Sequence, residues 1–278
     1  MTWKAIVHSA IGTRHEQRGQ PCQDYGCYRI AGSYLIGAIS DGAGSAKYSD
    51  VGAQIASELA VVAMAQGVGA IAEDDASMES LQDPIPFAEM EAQATGLFEA
   101  VLAQVLDGLQ QETDACGCEL GDFACTLLAF IATPDWVAAM QIGDGFMLLR
   151  GKDDEEYQLL FEPEKGEFIN ETVFATSHKA VDYMGVCVQS VESPFICAAT
   201  DGLERVAIRL HNWEPFAPFF QPFEACLRKL PTKSEQEEYL QTFLASDRLN
   251  AKTDDDKTLL IGLYDREQGV TTEPSEGL

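Results

Sequence analysis

Several short apolar runs in this chain stop at an aspartate that a glycine follows directly. LIGAIS ends at Asp41-Gly42, FICAAT ends at Asp201-Gly202, and QIG ends at Asp144. A single Asp-Gly after a strand is most often an ordinary turn. Repetition favours a second interpretation, because strand ends meet at one edge when two sheets pack face to face. The pattern therefore predicts a group of carboxylates at one end of a β sandwich.

The remaining periodicity predicts an α+β chain. Strand-like runs cover 3–11, 24–32, 33–40, 123–133, 135–143, 146–150, 157–161, 194–200 and 257–264. Helical patterns cover 47–66, 87–113 and 234–246, with a mixed helical region at 203–230 and Ser45 as the expected N-cap of the first helix. The first three strands are expected to form a meander, and 146–150 is expected to form a hairpin with 157–161. Consecutive strands lie close in sequence, so we expect antiparallel sheets with helices outside them.

Composition limits the partners of the protein. The 278 residues include 18 Lys and Arg against 45 Asp and Glu, a formal net charge of −27. Nucleic acid and anionic membranes attract cationic surfaces, so neither is an expected partner. No secretory signal or membrane-length apolar run is present, which predicts a cytoplasmic protein. We expect one domain over 1–265, an acidic surface loop at 73–83, and a flexible tail at 266–278.

Two further segments carry structural expectations. Eight cysteines are scattered along the chain, and the closest pair, Cys116 and Cys118, has no partner pair at zinc-finger spacing. Neither a zinc site nor a disulfide is therefore expected. The segment WEPFAPFFQPF at 213–223 combines three prolines with four phenylalanines. We expect it to be an irregular stretch packed on the core.

The stretch DGAGSAK at 41–47 allows two functional interpretations. Its glycines could bring backbone N–H groups to a phosphate, or Asp41 could bind a metal with the glycines making room. The spacing matches neither G-x-x-x-x-G-K-[ST] nor G-x-G-x-x-G, which disfavours nucleotide binding. Several carboxylates cannot stay ionised together without cations. Mg²⁺ or Mn²⁺ suits such an oxygen-rich site.

Five motifs in order resemble the PPM (PP2C-type) metal-dependent protein phosphatases, especially their compact bacterial branch. They are GQPCQDYG, AISDGAGS, QIGDGF, ATDGLE and DDDKTLL, with a first motif of the form G-x-x-H-x-x-x-G-x-x-x-Q-D. The resemblance spans about residues 8 to 264. It implies an α-β-β-α sandwich of two antiparallel sheets flanked by helices. It also implies hydrolysis of phosphoserine and phosphothreonine in proteins by a metal-bridging hydroxide between two Mn²⁺ or Mg²⁺ ions.

The resemblance also implies a role for individual residues. Asp41 would bridge the two ions, the Gly42 carbonyl would add a ligand, and Asp201 and Asp255 would complete the first ion's shell. Asp24 would orient a metal-bound water. Gln23 stands where many relatives have Glu, which holds a water on the second ion. Asp144 matches a position that in bacterial members helps Asp201 bind a third ion. Asp256 replaces the usual Asn, and either residue can hydrogen-bond near the cluster.

The sequence leaves alternatives open for the cation that binds the phosphate and for the general acid. Many relatives place an arginine close before the first acidic pair, and here Arg14 or Arg18 could bind the phosphate. Relatives in animals carry a proposed general acid, a histidine, two residues after the bridging aspartate, where this chain has Ala43. His15 could donate a proton or touch phosphate, or it could be a structural hydrogen-bonding residue.

Two kinds of function follow from these features. One is an active phosphatase on phosphorylated proteins, and the resemblance implies that a cognate serine/threonine kinase works opposite it. The other is a catalytically silent sensor or adaptor that binds phosphorylated partners. A third interpretation of the same residues is a phosphatase that acts on small phosphorylated molecules.

Overall fold

The computed structural model describes residues 2–69, 84–161 and 172–265. Its strands, in chain order, are β1 Thr2–Ala10, β2 Asp24–Ala31, β3 Tyr34–Asp41, β4 Leu127–Ala132, β5 Trp136–Ile142, β6 Phe146–Arg150, β7 Gln158–Leu159, β8 Gly185–Ser190, β9 Phe195–Ala199, β10 Ile208–Arg209, β11 Glu214–Pro215 and β12 Lys257–Asp265. Its α-helices are α1 Thr13–Arg18, α2 Ser49–Gly67, α3 Phe87–Cys116, α4 Glu204–Ala207, α5 Ala217–Lys229, α6 Lys233–Leu244 and α7 Asp247–Asn250. None of the helices within these ranges is long and apolar enough to cross a membrane.

The strands form two five-stranded antiparallel sheets and one small pair. The first sheet has the order β1-β12-β9-β6-β7, the second has the order β2-β3-β4-β5-β8, and β10 pairs with β11. Leu35, Phe130 and Leu260 belong to the buried layer between the sheets. This arrangement confirms the expected sandwich of antiparallel sheets.

Helices cover the outer face of each sheet. Helices α2 and α3 pack on the second sheet through a core that includes Ala56, Phe98 and Val105. Helices α5 and α6 pack on the first sheet, and Phe220 and Leu240 are buried there. The layers therefore follow the order α-β-β-α that the resemblance implies.

The predicted β1 partner and the Ser45 cap are wrong. Strand β1 does not continue into the β2-β3 hairpin but pairs with β12, so that Trp3 lies opposite Tyr264. Helix α2 begins at Ser49 with Tyr48 as its N-cap residue. The N-cap residue is held on a short 3₁₀ helix, Leu120–Phe123, since Tyr48 N donates to Asp122 O at 2.7 Å.

Other boundaries also depart from the sequence pattern. The predicted strand 123–133 begins only at 127, after a short 3₁₀ helix Leu120–Phe123. Strand β8 was not predicted, and the predicted strand 157–161 is reduced to β7, although its hairpin with β6 is confirmed. The predicted loop at 73–83 and the tail at 266–278 lie outside the described residues.

Two expectations about special segments are also wrong. The phenylalanine-rich segment is largely helical, because α5 includes Pro218 in its first turn and buries Phe219, Phe220 and Phe223. Cys116 and Cys118 form a disulfide at the C-terminal end of α3. The intervening Gly117 has φ 68°, a left-handed conformation that ends the helix and lets the two side chains meet.

Candidate active site

Strand pairing in the second sheet brings the first two carboxylates together. Asp24 begins β2, Asp41 ends β3, and the antiparallel register places them directly opposite each other. The Asp41 backbone is fixed by Thr126, whose N–H donates to Asp41 O at 2.8 Å and whose Oγ1 accepts from Asp41 N at 2.9 Å. Both backbone polar groups of Asp41 are therefore hydrogen-bonded to this one residue.

The first sheet contributes the other carboxylates at the same end of the sandwich. Asp201 follows β9 and Asp255 precedes β12, and these two strands are neighbours. Thr200 ties the sheets together, because its Oγ1 donates to Asp24 Oδ2 at 2.6 Å and accepts from Thr258 N at 2.9 Å. The predicted convergence of strand ends is thus found in the structure.

Most of the predicted site residues line one small cavity of about 160 Å³. They are Arg14, His15, Gln23, Asp41, Gly42, Asp144, Asp201 and Asp255. A wider cavity of about 520 Å³ adjoins it and shares Arg14, Asp144, Asp201 and Asp255. Asp24 is buried beside Asp41 and lines neither cavity, and the exposed Arg18 also lines neither.

The carboxylates oppose one another's ionisation. Burial, then the charges of Asp24 and Asp201, raise the pKa of Asp41 to about 11. Burial also raises the pKa of Asp24 to about 8, and burial followed by the charge of Asp144 raises the pKa of Asp201 to about 6. At neutral pH such a cluster requires protons or cations to offset its charge.

The donor set fits hard divalent cations. Gln23 Oε1 and Asp24 Oδ1 are buried acceptors with no hydrogen-bond partner. Within the described residues, no three His, Cys, Asp or Glu side chains converge closely enough to hold an ion by themselves. An ion here would therefore complete its shell with backbone carbonyls and water, as Mg²⁺ and Mn²⁺ commonly do.

Glycines keep the main chain close to this cluster. A Cβ on Gly42 would lie 2.6 Å from Ser49 O, and one on Gly202 would lie 1.9 Å from Asp256 O. No side chain fits at either position without a backbone shift. The glycine after each of these aspartates therefore allows close packing of the main chain, and Gly42 itself lines the small cavity.

Asp256 organises the loop that leads to the site. Its Oδ1 accepts from Gly12 N at 2.6 Å, and its Oδ2 accepts from Gln23 N at 2.6 Å. His15 Nδ1 lies 2.8 Å from the same Oδ2. The first motif is thus tied to the start of β12, and Asp256 does form the hydrogen bonds near the cluster that its position suggests.

Of the two arginines that the sequence offers for phosphate binding, the structure brings Arg14 to the site. Its Nη2 lies 2.9 Å from Asp255 Oδ1, and 42% of its side chain remains exposed. It borders both cavities, whereas Arg18 lies at the exposed end of α1.

Sequence reasoning missed two groups beside the cluster. Lys257 is fully buried, and its Nζ donates to Asp255 O at 3.0 Å. Burial lowers the pKa of this lysine, while the charges of Asp256 and Asp24 act in the opposite direction. Thr172 Oγ1 donates to Asp144 Oδ2 at 2.6 Å. The sequence offered one signal for Lys257, which is its position at the start of a strand directly after three aspartates.

Comparisons with known proteins agree with this geometry. A family model described as protein phosphatase 2C matches residues 11–245. Serine/threonine-protein phosphatase 3 of Escherichia coli (strain K12) is 31% identical over 274 residues, covering 95% of this chain and 99% of that protein.

Solved structures share the fold at low sequence identity. The catalytic domain of the serine/threonine phosphatase PstP, in complex with two manganese ions, has a TM-score of 0.54 at 15% identity, covering 95% of this chain and 99% of that one. RsbX in complex with magnesium has a TM-score of 0.51 at 13% identity, covering 95% and 96%. The family model and the curated relative both extend over most of the chain, so this protein belongs to the protein phosphatase 2C family and is a serine/threonine phosphatase of the PPM type.

Proposed function

We propose that this phosphatase removes phosphate from phosphoserine and phosphothreonine in proteins at a centre of two Mn²⁺ or Mg²⁺ ions. The observation that carries the proposal is the meeting of carboxylates from both sheets, which raise one another's pKa. When bound, two divalent ions would lower the pKa of a water between them and stabilise the phosphoryl oxygens. Such ions would also offset the charge that burial makes unfavourable.

The site residues divide into three roles in this proposal. Asp41 would bridge the ions with the Gly42 carbonyl as a further ligand, and Asp201 and Asp255 would complete the ligands of the first ion. Asp24 and Gln23 would orient water, which suits their unpartnered oxygens. Asp144 would join Asp201 in holding a third ion.

Arg14 is the group we propose for binding the substrate phosphate. A planar guanidinium can donate two parallel hydrogen bonds to phosphate oxygens. Its position on both cavities supports this role, although it must exchange its ion pair with Asp255 for the substrate. Arg18 has no comparable position.

A cognate serine/threonine kinase and a cytoplasmic location belong to the same proposal. The kinase would supply the phosphorylated protein that this enzyme consumes. Both rest on the resemblance and on the sequence, and each is open to direct test by co-purification and fractionation.

Calorimetric titration of metal-free protein with Mn²⁺ tests the centre itself. The wild type should bind two ions tightly, and Asp41→Ala should lose that stoichiometry because both ions share Asp41. A matched control is Asp107→Ala, which removes an exposed carboxylate from α3 and should bind as the wild type does. Unchanged binding in Asp41→Ala would contradict the proposed bridge. Retention of a phosphorylated partner without any turnover would favour the adaptor.

A further inference from the structure

His15 and Asp256 form a buried pair at the edge of the small cavity. His15 is 5% exposed and lies on α1, while Asp256 is 3% exposed and lies just before β12. Their contact joins His15 Nδ1 and Asp256 Oδ2 at 2.8 Å. The pair is thus assembled from the two ends of the chain.

The carboxylate of Asp256 is held in one orientation. The amide of Gly12 donates to its Oδ1 and the amide of Gln23 donates to its Oδ2, each at 2.6 Å. Oδ2, which already accepts from the Gln23 amide, also contacts the ring. Since an ionised carboxylate can only accept, we assign the proton of that contact to His15 Nδ1. A histidine oriented in this way presents Nε2 as its second nitrogen, the arrangement used by oriented acids and bases in enzymes.

His15 borders the small cavity of the candidate site. Only 6% of the His15 side chain is exposed, and the residue lines the cavity shared by Asp41, Asp201 and Arg14. Among the described residues that line this cavity, His15 is the only histidine. Ala43, two residues after Asp41, also lines the cavity and has no proton to give.

We propose that His15, oriented by Asp256, is the catalytic proton donor to the leaving serine or threonine oxygen. This inference rests on the proposed function of the site. As the bond from water oxygen to phosphorus forms, the bond from phosphorus to the side-chain oxygen breaks. That oxygen takes the electron pair of the bond and the proton of Nε2. His15 is left neutral with its proton on Nδ1, and solvent returns a proton to Nε2 as the attacking water releases one.

His15→Asn separates this role from a structural one. The asparagine amide can still donate to Asp256 from about the position of Nδ1, but it has nothing in place of Nε2. A general acid contributes about 10²–10⁴-fold, and it matters most for a poor leaving group. Turnover of a phosphoserine peptide should therefore fall by about 100-fold or more, while turnover of p-nitrophenyl phosphate should fall by less than about fivefold.

Several outcomes would overturn the inference. Equal losses on both substrates, or an unchanged rate on the peptide, would make His15 structural. His211→Gln, a change of an exposed histidine, is the matched control and should leave both rates unaltered. A wild type without metal-dependent turnover would instead refute the proposed function, and the two failures are thereby distinguished.

A measurement on the metal-free wild type does not depend on turnover or on the folding of a variant. The chain has only four histidines, so the imidazole ¹⁵N resonances can be assigned by substitution of each one. Neutral His15 should show a proton on Nδ1 and none on Nε2. Asp256→Asn should weaken that preference. A neutral ring protonated on Nε2 would overturn the inference.

Discussion

Asp201→Asn is expected to stabilise the metal-free protein, although it removes a proposed metal ligand. Burial and the charge of Asp144 raise the pKa of Asp201 from 3.8 to about 6. Below pH 4 this carboxyl is protonated in the folded and unfolded states alike. Between pH 4 and 6 the folded state keeps a proton that the unfolded state has released, so the free energy of unfolding falls as pH rises. Above pH 6 the free energy of unfolding does not fall further on account of this group.

The size of this effect follows from the shift. A change of about 2 pKa units at about 1.4 kcal/mol each gives an upper bound of about 3 kcal/mol. Asparagine is neutral at every pH, so the variant avoids that loss at pH 8 and gains nothing at pH 4. For a chain of this size, about 3 kcal/mol corresponds to a Tm increase of about 6–10 °C.

Thermal unfolding of the metal-free proteins at pH 4 and pH 8 measures the difference in Tm between Asp201→Asn and the wild type. The control is Asp107→Asn, which removes one exposed charge from α3 and should change stability by less than about 0.5 kcal/mol. Saturating Mn²⁺ should reverse the order, because the wild type gains stability from the ions and the variant gains less. A metal-free Asp201→Asn that is no more stable than the wild type at pH 8 would refute the reasoning.

Three further changes test the site and its support. Arg14→Gln should lower kcat/KM on a phosphopeptide by about 10–100-fold, since a hydrogen bond to a charged group contributes about 1.5–3 kcal/mol; Arg18→Gln is the control, and equal effects in steady-state assays would contradict the assignment. Gly202→Ala should weaken Mn²⁺ affinity and lower stability by about 1–3 kcal/mol, because its Cβ would lie 1.9 Å from Asp256 O; wild-type values in calorimetry and urea titration would show that the loop adapts. Phe220→Ala should lower the free energy of unfolding by about 3–5 kcal/mol in urea, since this side chain of α5 is fully buried in the core between the helix and the first sheet; a loss below about 1 kcal/mol would show that this layer does not support the fold.

Local sequence predicted the features that depend on periodicity. The run from Leu35 to Ile39 does not alternate but is wholly apolar, and it lies in an internal strand buried on both faces. Helix α3 begins at Phe87 as its pattern indicates. Asp41 and Asp201 could be placed at strand ends because the apolar runs stop there. That these two carboxylates lie close together was predicted from the face-to-face packing of the two sheets.

Features that depend on distant contacts could not be predicted. The pairing of β1 with β12 joins Trp3 to Tyr264, and no local pattern reports it. Strand β8 is half-buried at the edge of its sheet, so its apolar signal is weak. Pro222 lies inside α5, where a proline usually interrupts a helix, and the burial of neighbouring phenylalanines offsets that cost.

The site shows the same division. The sequence left Arg14 and Arg18 as alternatives, because both belong to the first motif. The structure separates them through α1, which turns Arg14 toward Asp255 and ends at the exposed Arg18. The partner of His15 was also hidden, since Asp256 lies more than 200 residues away in the chain.

The most direct test of the proposed two-metal reaction is the rate of phosphate release from a phosphoserine peptide. It should be measured with Mn²⁺, with Mg²⁺ and with EDTA, for the wild type and for Asp41→Ala. The account predicts turnover that requires a divalent ion and that falls to background in the variant, while the variant stays folded. Turnover that persists in EDTA, or that survives in a folded Asp41→Ala, would contradict it.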